Sequence, residues 1–300
     1  MKIVIGTRGS QLALAQTKWV MNELKKYTSE LEFELKVIEV QDNAIQNQFL
    51  DGDNGKETFA RAVEKALLNQ TIDLAVHRMK DMPLAVPESL VVTGIPRREE
   101  VRDALILKGG YESLEDLPKG ATLAARSKRR IYQLLAHRPD LNIVPIKGNM
   151  EIDIQEMEER GLDGVVQAAA DMHYLGLQEK ITCYLPMHVM MPAPTQGALA
   201  IEIKESHTRV KELLKAIEDP ISTIQITAER AFMEEMKIDY KIGRMPIGAY
   251  CQVDGTNLRM CGLLGDEEGE KLVVKELSAR VGIEKELGAE LAKTLKRAFR

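Results

Sequence analysis

Short apolar runs ended by charge, glycine or proline alternate along this chain with stretches in which apolar residues return every three or four positions. The first pattern predicts buried strands and the second amphipathic helices. The sharpest run, Leu74-Ala75-Val76, stops in His77-Arg78-Met79-Lys80-Asp81-Met82-Pro83. It is too short for an independent helix, and Pro83 biases Met82 away from helical geometry, so the segment reads as a buried parallel strand. Ligands of open α/β sheets sit beyond the carboxyl ends of strands, which makes Lys80 and Asp81 candidates for chemistry.

The rest of the chain arranges itself around that strand. Lys2 to Gly6 reads as a strand and Thr7-Arg8-Gly9-Ser10 as a turn whose Ser10 caps a helix with Ala13, Val20 and Leu24 on one stripe. Leu31 to Val40 alternates like a strand, Gln41 to Lys56 reads as a polar loop, and Glu57 to Asn69 reads as a helix with Phe59, Val63 and Leu67 spaced four apart. A strand from Leu90 to Ile95 ends in the charged hinge Pro96-Arg97-Arg98-Glu99-Glu100. Beyond it, strands at Ala104–Leu107, Ala121–Ala124, Asn142–Ile146 and Gly164–Gln167 alternate with helical patterns. Two of the intervening turns are basic: Arg126-Ser127-Lys128-Arg129-Arg130 and Lys147-Gly148-Asn149, the latter leading to a helix with Met150, Ile154 and Met157 on its apolar face. A charge run is usually a solvated face, but two basic turns at successive strand ends point to an anion pocket.

An irregular approach through Pro192-Ala193-Pro194-Thr195-Gln196 feeds a strand that returns the chain to its first domain. A helix opened by Asp219-Pro220, three short strands between Gly248 and Val281, and a closing helix from Glu284 make a small α+β unit. The expected fold is therefore α/β, with residues 1–95 and 193–212 as a discontinuous first domain, 99–189 as a second and 217–300 as a third. A cleft is expected between the first two, with Asp81 and Arg129 facing it.

Composition narrows the function. Lys+Arg 41 against Asp+Glu 46 gives a net charge of -5, which argues against a nucleic-acid partner. No apolar run approaches the roughly 20 residues of a membrane span, and the N-terminus enters a strand without a signal-peptide pattern, so the expected location is the cytoplasm. Cys183, Cys251 and Cys261 form neither a CxxC pair nor a disulfide framework, and His77, His137, His173, His188 and His207 are scattered, so no metal site is expected.

Taken in order, several motifs carry a family likeness over essentially the whole chain. They are Ile5-Gly6-Thr7-Arg8 with Ser10-Gln11-Leu12-Ala13; Asp73 to His77 with Lys80-Asp81; Ser127 with Arg129-Arg130; and Gly148-Asn149. Pro192-Ala193-Pro194 with Gln196-Gly197-Ala198, Ala228-Glu229-Arg230-Ala231-Phe232 and Pro246-Ile247-Gly248-Ala249-Tyr250 complete the set. The sequence resembles the porphobilinogen deaminase (hydroxymethylbilane synthase) family of tetrapyrrole biosynthesis. That resemblance implies two lobes similar to periplasmic binding proteins and a third domain presenting a cysteine. Its members join four porphobilinogen units into hydroxymethylbilane, releasing ammonia, on a dipyrromethane cofactor held by a thioether.

The resemblance assigns catalysis to Asp81, whose carboxylate would stabilise the cationic azafulvene left by loss of ammonia. It assigns binding of substrate and cofactor to Arg8, Ser10, Lys56, Lys80, Ser127, Arg129, Arg130, Lys147, Asn149 and Gln196, the cations being counter-charges for pyrrole acetates and propionates. The expected partner is a small anion, porphobilinogen or a tetrapyrrole, bound by a monomer.

Departures from the family pattern fall at site positions. The stretch Lys237 to Met245, where the family carries Gly-Gly-Cys before Pro-Ile-Gly, has no cysteine, and Arg78 stands where serine is usual. Thr195 replaces a small residue, Tyr174 a basic one, and Asp153 an arginine that holds cofactor carboxylates. A covalent dipyrromethane is therefore expected to be absent, with Cys251 the one substitute anchor. Two readings follow: a divergent enzyme holding its primer noncovalently or through Cys251, or a non-catalytic paralogue that binds a polyanionic ligand.

Overall fold

The computed structural model describes residues 2–27, 30–39, 53–146, 157, 159–239 and 245–299; of residues 53–58, 238 and 239 only the backbone is described. Strands β1 (Lys2–Thr7), β2 (Glu32–Val37), β3 (Leu74–Arg78) and β4 (Leu90–Thr93) precede the charged hinge, with helices α1 (Gln11–Lys25) and α2 (Asp53–Leu68) between them. Next come β5 (Asp103–Leu107), β6 (Thr122–Ala125), α3 (Lys128–His137), β7 (Asn142–Pro145), β8 (Gly164–Ala168), α4 (Ala169–Tyr174) and β9 (Cys183–Tyr184). The chain continues through β10 (Leu199–Lys204), α5 (Thr208–Leu214), α6 (Pro220–Asp239), β11 (Ile247–Asp254), β12 (Asn257–Gly265), β13 (Leu272–Arg280) and α7 (Glu284–Phe299).

The fold is mixed α/β, with two five-stranded sheets and a three-stranded one. In the first sheet, ordered β2-β1-β3-β10-β4, the first three strands are parallel and β10 runs antiparallel to both of its neighbours. The second, ordered β7-β6-β8-β5-β9, repeats that plan: β6 is parallel to β7 and β8, and β5 is antiparallel to β8 and β9. The expected parallel neighbourhood of β3 thus holds on its β1 side and is corrected on its β10 side. Burial on both faces explains the apolar runs Leu74–Val76 in β3 and Ala104–Leu107 in β5, whereas β10 carries the buried Glu202 within its run.

Several element bounds differ from the sequence pattern by a few residues, and so does the buried face of one helix. Helix α2 starts at Asp53, so the loop expected from Gln41 to Lys56 ends earlier, and the remainder of that loop, 41–52, lies outside the described residues. Strand β2 stops at Val37. The buried face of α1 is Gln16, Thr17, Val20 and Leu24, with Ala13 only half-buried, because Thr17 closes its hydroxyl onto the Ala13 carbonyl and can face the sheet without an orphaned polar group.

Contacts gather the chain into two units, one of residues 1–99 and 197–223, the other of 100–196 and 224–300. The first unit's core includes Phe59, Val63, Leu67, Ile72, Ala75 and Leu90. Within the second unit the three-stranded sheet packs on α6 and α7 around Phe232, Met260, Leu264, Leu291 and Leu295. Close approach of the two helices is set by Gly288, where a Cβ would lie 2.0 Å from the Ala228 carbonyl oxygen. Among the described residues, no helix is long and apolar enough to cross a membrane and no group of three or more His, Cys, Asp or Glu side chains is placed to hold a metal ion.

Candidate functional site

In the first unit, β3 ends in a 3-10 turn, Met79–Asp81. The turn is held from outside the strand, because the Met79 N–H donates to the Ala198 carbonyl at 2.9 Å, and from within, because the Met82 N–H closes onto the Met79 carbonyl at 3.1 Å. Met79 is buried, and Lys80 and Asp81 are half-buried at the carboxyl end of the strand. The Arg78 Nε donates to Asp81 Oδ2 at 2.6 Å. Arg8 follows β1, the parallel neighbour of β3, and its guanidinium lies 5.2 Å from the centre of the buried Phe59 ring, a cation–π arrangement. Ser10 caps α1, its hydroxyl accepting the Ala13 N–H at 3.3 Å.

In the second unit the direction of β5 creates the site. Because β5 is antiparallel to β8, its first residue, Asp103, pairs with Ala168 at the carboxyl edge of the parallel strands, where the turn after β6 delivers Arg129 and Arg130. Asp103 is fully buried and accepts from Arg129 Nη1 at 2.8 Å through one oxygen. Its other oxygen accepts from Arg130 Nε and Nη2 at 3.0 and 2.7 Å and from Gln196 Nε2 at 3.2 Å. Burial alone would raise the Asp103 carboxyl; the guanidinium groups of Arg129 and Arg130 more than offset it and bring it down from 3.8 to about 2. Burial also draws Arg129 below its ordinary value, with Asp103 acting against that shift. Two guanidinium groups on one carboxylate leave the cluster a net positive charge, so it can still attract an anion.

Around that cluster, Gln133 binds both main-chain groups of Met191, accepting its N–H at 2.7 Å and donating to its carbonyl at 3.1 Å. Arg129 Nη1 also reaches the Met191 carbonyl, at 2.6 Å. Four residues on, Thr195 has φ of +62°, unusual for a β-branched residue. Its N–H donates to Glu229 Oε2 at 2.5 Å, and the other oxygen of that fully buried carboxylate accepts the Cys251 N–H at 2.9 Å.

The structure therefore brings Arg129, Arg130 and Gln196 onto one carboxylate, and Ser127 caps α3 by accepting the Arg130 N–H at 3.3 Å. Lys147 and Asn149 lie outside the described residues, as does Asp153, and the side chain of Lys56 is not described. Cys251 is 0 % exposed and belongs to the core of the three-stranded sheet. Sequence reasoning passed over Asp103, Gln133 and Glu229. An aspartate directly ahead of the apolar run Ala104–Leu107 was the available signal for the first, since a charge entering a buried strand needs a partner.

Charged groups gathered at the carboxyl ends of parallel strands define a class, the mixed α/β proteins that hold small ligands at those ends. Residues 3–212 match the porphobilinogen deaminase, dipyromethane cofactor binding domain, and residues 223–297 the porphobilinogen deaminase C-terminal domain. The chain is 44% identical over 299 residues to the porphobilinogen deaminase of Clostridioides difficile (strain 630), covering 100% of this chain and 98% of that protein. It is 43% identical over 295 residues to that of Clostridium novyi (strain NT), covering 97% of each. Among solved structures it is similar to the methionine binding protein MetQ, with TM-score 0.44, 15% identity and coverage of 74% of this chain and 92% of that one. The chain belongs to the porphobilinogen deaminase family.

Proposed function

We propose that this chain acts on porphobilinogen as its family does, forming hydroxymethylbilane with release of ammonia, but on a primer that no thioether holds. The observation that carries the second half is the placement of sulfur. A thioether needs a reachable thiol, and the stretch 237–245 has none. Cys251 is enclosed by core side chains, so an adduct there would displace packed apolar groups. Cys183 and Cys261 are only partly buried, yet both thiols are pushed above their ordinary value. Burial is the larger cause for each, with Glu115 next for Cys183 and the Glu276 hydrogen bond next for Cys261, which reaches about 11. Thiols held protonated are poor nucleophiles. The residues present therefore do not fit a thioether-bound dipyrromethane.

In this reading Asp81 faces the pyrrole and accepts its N–H, while Arg8, Lys80, Arg129, Arg130 and Lys147 meet the acetate and propionate carboxylates, with Ser10, Ser127, Lys56, Asn149 and Gln196 completing the polar surface. Three sheets support a three-domain division at 1–95 with 193–212, 99–189 and 217–300. A cytoplasmic location accords with three free cysteines; the reading takes the protein as a monomer whose small anionic ligand is met by the cations just named.

The test is intact-mass spectrometry of protein expressed in a host that makes porphobilinogen, together with an assay for hydroxymethylbilane. We expect the mass of the unmodified chain and little or no product until a linear pyrrole is supplied as primer. An adduct mapping to Cys251 with turnover would show that the primer is anchored after all. No porphobilinogen binding, and no product with primer present, would remove the enzymatic reading.

A further inference from the structure

Helix α3 has two faces with different partners. Arg129, Arg130, Gln133 and Leu134 are buried, Leu134 in the core of the second sheet, whereas Lys128 and Tyr132, four residues apart, share the nearly opposite face. The loop between β12 and β13 lies on that face. Its base is closed by the Asp266 N–H, which donates to the Lys271 carbonyl at 3.1 Å, and by the Lys271 N–H, which donates to Asp266 Oδ2 at 3.0 Å. The Lys271 ammonium also reaches the Phe299 carbonyl at the end of α7. At its tip the Glu267 carbonyl accepts from Lys128 Nζ at 2.5 Å and from the Tyr132 hydroxyl at 2.8 Å. Gly269, with φ of +80°, lies so close that a Cβ there would come 2.3 Å from the Tyr132 ring. The same sheet meets the buried side of α3 by a second route. The Ala249 N–H of β11 donates to the Pro192 carbonyl at 3.1 Å, next to the Met191 main chain that Gln133 and Arg129 bind.

We propose that this loop is a strap that positions the first turn of α3, with Lys128 and Tyr132 as the positioning residues it holds. The proposal rests on the reading that Arg129 and Arg130 meet ligand carboxylates, and adds what keeps the turn that carries them in place. The first N–H groups of a helix have no partner in a preceding turn, so a helix start depends on capping and tertiary contacts. Here Ser127 accepts the Arg130 N–H through its hydroxyl and the Ile131 N–H through its carbonyl, at 3.3 and 2.9 Å. A short helix held on one face can still tilt or roll, and contacts on two opposed faces restrain both motions. That matters for guanidinium groups, because their paired hydrogen bonds to a carboxylate tolerate little displacement. The acceptor at Glu267 is main chain, so the grip depends on the path of the loop and not on the carboxylate at 267. Gly269 supplies that path, since it takes the positive φ and leaves room for the ring. Carboxylates remote from the bond being broken are bound alike in the ground and transition states, so a looser strap raises KM and leaves kcat nearly unchanged.

The direct measurement is amide hydrogen exchange at Arg130 and Ile131 in the full chain. Two variants leave the charge unaltered: Gly269→Asn, which accepts a positive φ but adds a Cβ, and Tyr132→Phe, which keeps the ring and removes the hydroxyl. We expect exchange at both amides to quicken about tenfold in Gly269→Asn and about threefold in Tyr132→Phe. In a Tyr132→Ala background the same Asn should change exchange less than about twofold, because the ring it strikes is gone. Glu267→Ala should stay within about twofold of the parent, since the carbonyl remains. Parent-like exchange in Gly269→Asn and Tyr132→Phe would overturn the proposal, and so would a Glu267→Ala effect as large as that of Tyr132→Phe. The second measurement is turnover of porphobilinogen with a linear pyrrole supplied. There Gly269→Asn should raise KM about tenfold with kcat changed less than about threefold, and Glu267→Ala should not. Faster exchange with an unchanged KM in an active protein would overturn the link between the strap and the ligand. Faster exchange with no turnover by any variant, the parent included, would uphold the strap and count against the tetrapyrrole reading instead.

Discussion

Asp103→Ala destabilises the chain by about 3–5 kcal/mol, a large share of the stability of any domain. The reason lies in what remains behind. Arg129 and Arg130 have side chains only 7% and 8% exposed, and Asp103 is the carboxylate paired with both. Without it two guanidinium groups face each other in a site with little solvent, so the loss measures the penalty of orphaned charges and not the net worth of the pair. Gln196 loses an acceptor at the same position. Asp103→Asn keeps the shape and one acceptor oxygen but removes the charge, and should fall between the parent and Asp103→Ala. Denaturant titration followed by circular dichroism checks both, as a lower midpoint at an unchanged slope.

The same carboxylate makes an acid limb of stability. Its folded value of about 2 lies below the ordinary 3.8, so the folded state binds its proton more weakly than the unfolded state does. Its contribution, about 2 kcal/mol, is therefore complete above the unfolded value and is lost as pH falls from near 4 through about 2. Asp103→Asn should lack that part of the acid transition while keeping whatever other carboxylates supply.

Much of this arrangement was legible before any coordinates, because a strand buried on both faces must be an uninterrupted apolar run and a helix on a sheet must repeat at three to four. Leu74 to Val76 and Ala104 to Leu107 followed that logic and lie where the pattern put them, and the three strands after Gly248, each open to solvent on part of its length, were legible from their spacing. Direction is different. An apolar run reads the same whether the strand runs up or down, so the antiparallel course of β5 and β10 had no signature, and with it went the position of Asp103 at the carboxyl edge of the parallel strands. The two-residue β9 at Cys183–Tyr184 is too short to carry any period. Arg129 and Arg130 were read as counter-charges for a ligand. Their burial against Asp103 was hidden because a basic residue at the start of a helix looks alike whether it faces the sheet or the solvent. At the opposite extreme, the missing thiol at 237–245 is a fact of composition, and no structure was needed to see it.

Glu229→Ala should cost nearly as much as Asp103→Ala, about 3–5 kcal/mol, through a different mechanism. Glu229 is fully buried on α6 and its two oxygens accept separate main-chain donors, Thr195 N–H at 2.5 Å and Cys251 N–H at 2.9 Å. Truncation leaves both donors buried without that acceptor, at about 1–3 kcal/mol each, and opens a cavity the size of the lost side chain. Glu229→Gln retains one acceptor oxygen but turns an amide N–H toward the other donor, so it should recover only part of the loss. The consequence reaches beyond α6. Thr195 holds φ at +62°, a conformation that a β-branched residue keeps only when its surroundings enforce it, and the next residue, Gln196, donates to Asp103. Releasing the Thr195 N–H lets that backbone relax and withdraws Gln196 from the arginine cluster. A double-mutant cycle of Glu229→Ala with Gln196→Ala should therefore show coupling above about 0.5 kcal/mol, whereas strictly additive losses would mean that the turn at Thr195 keeps its shape without Glu229.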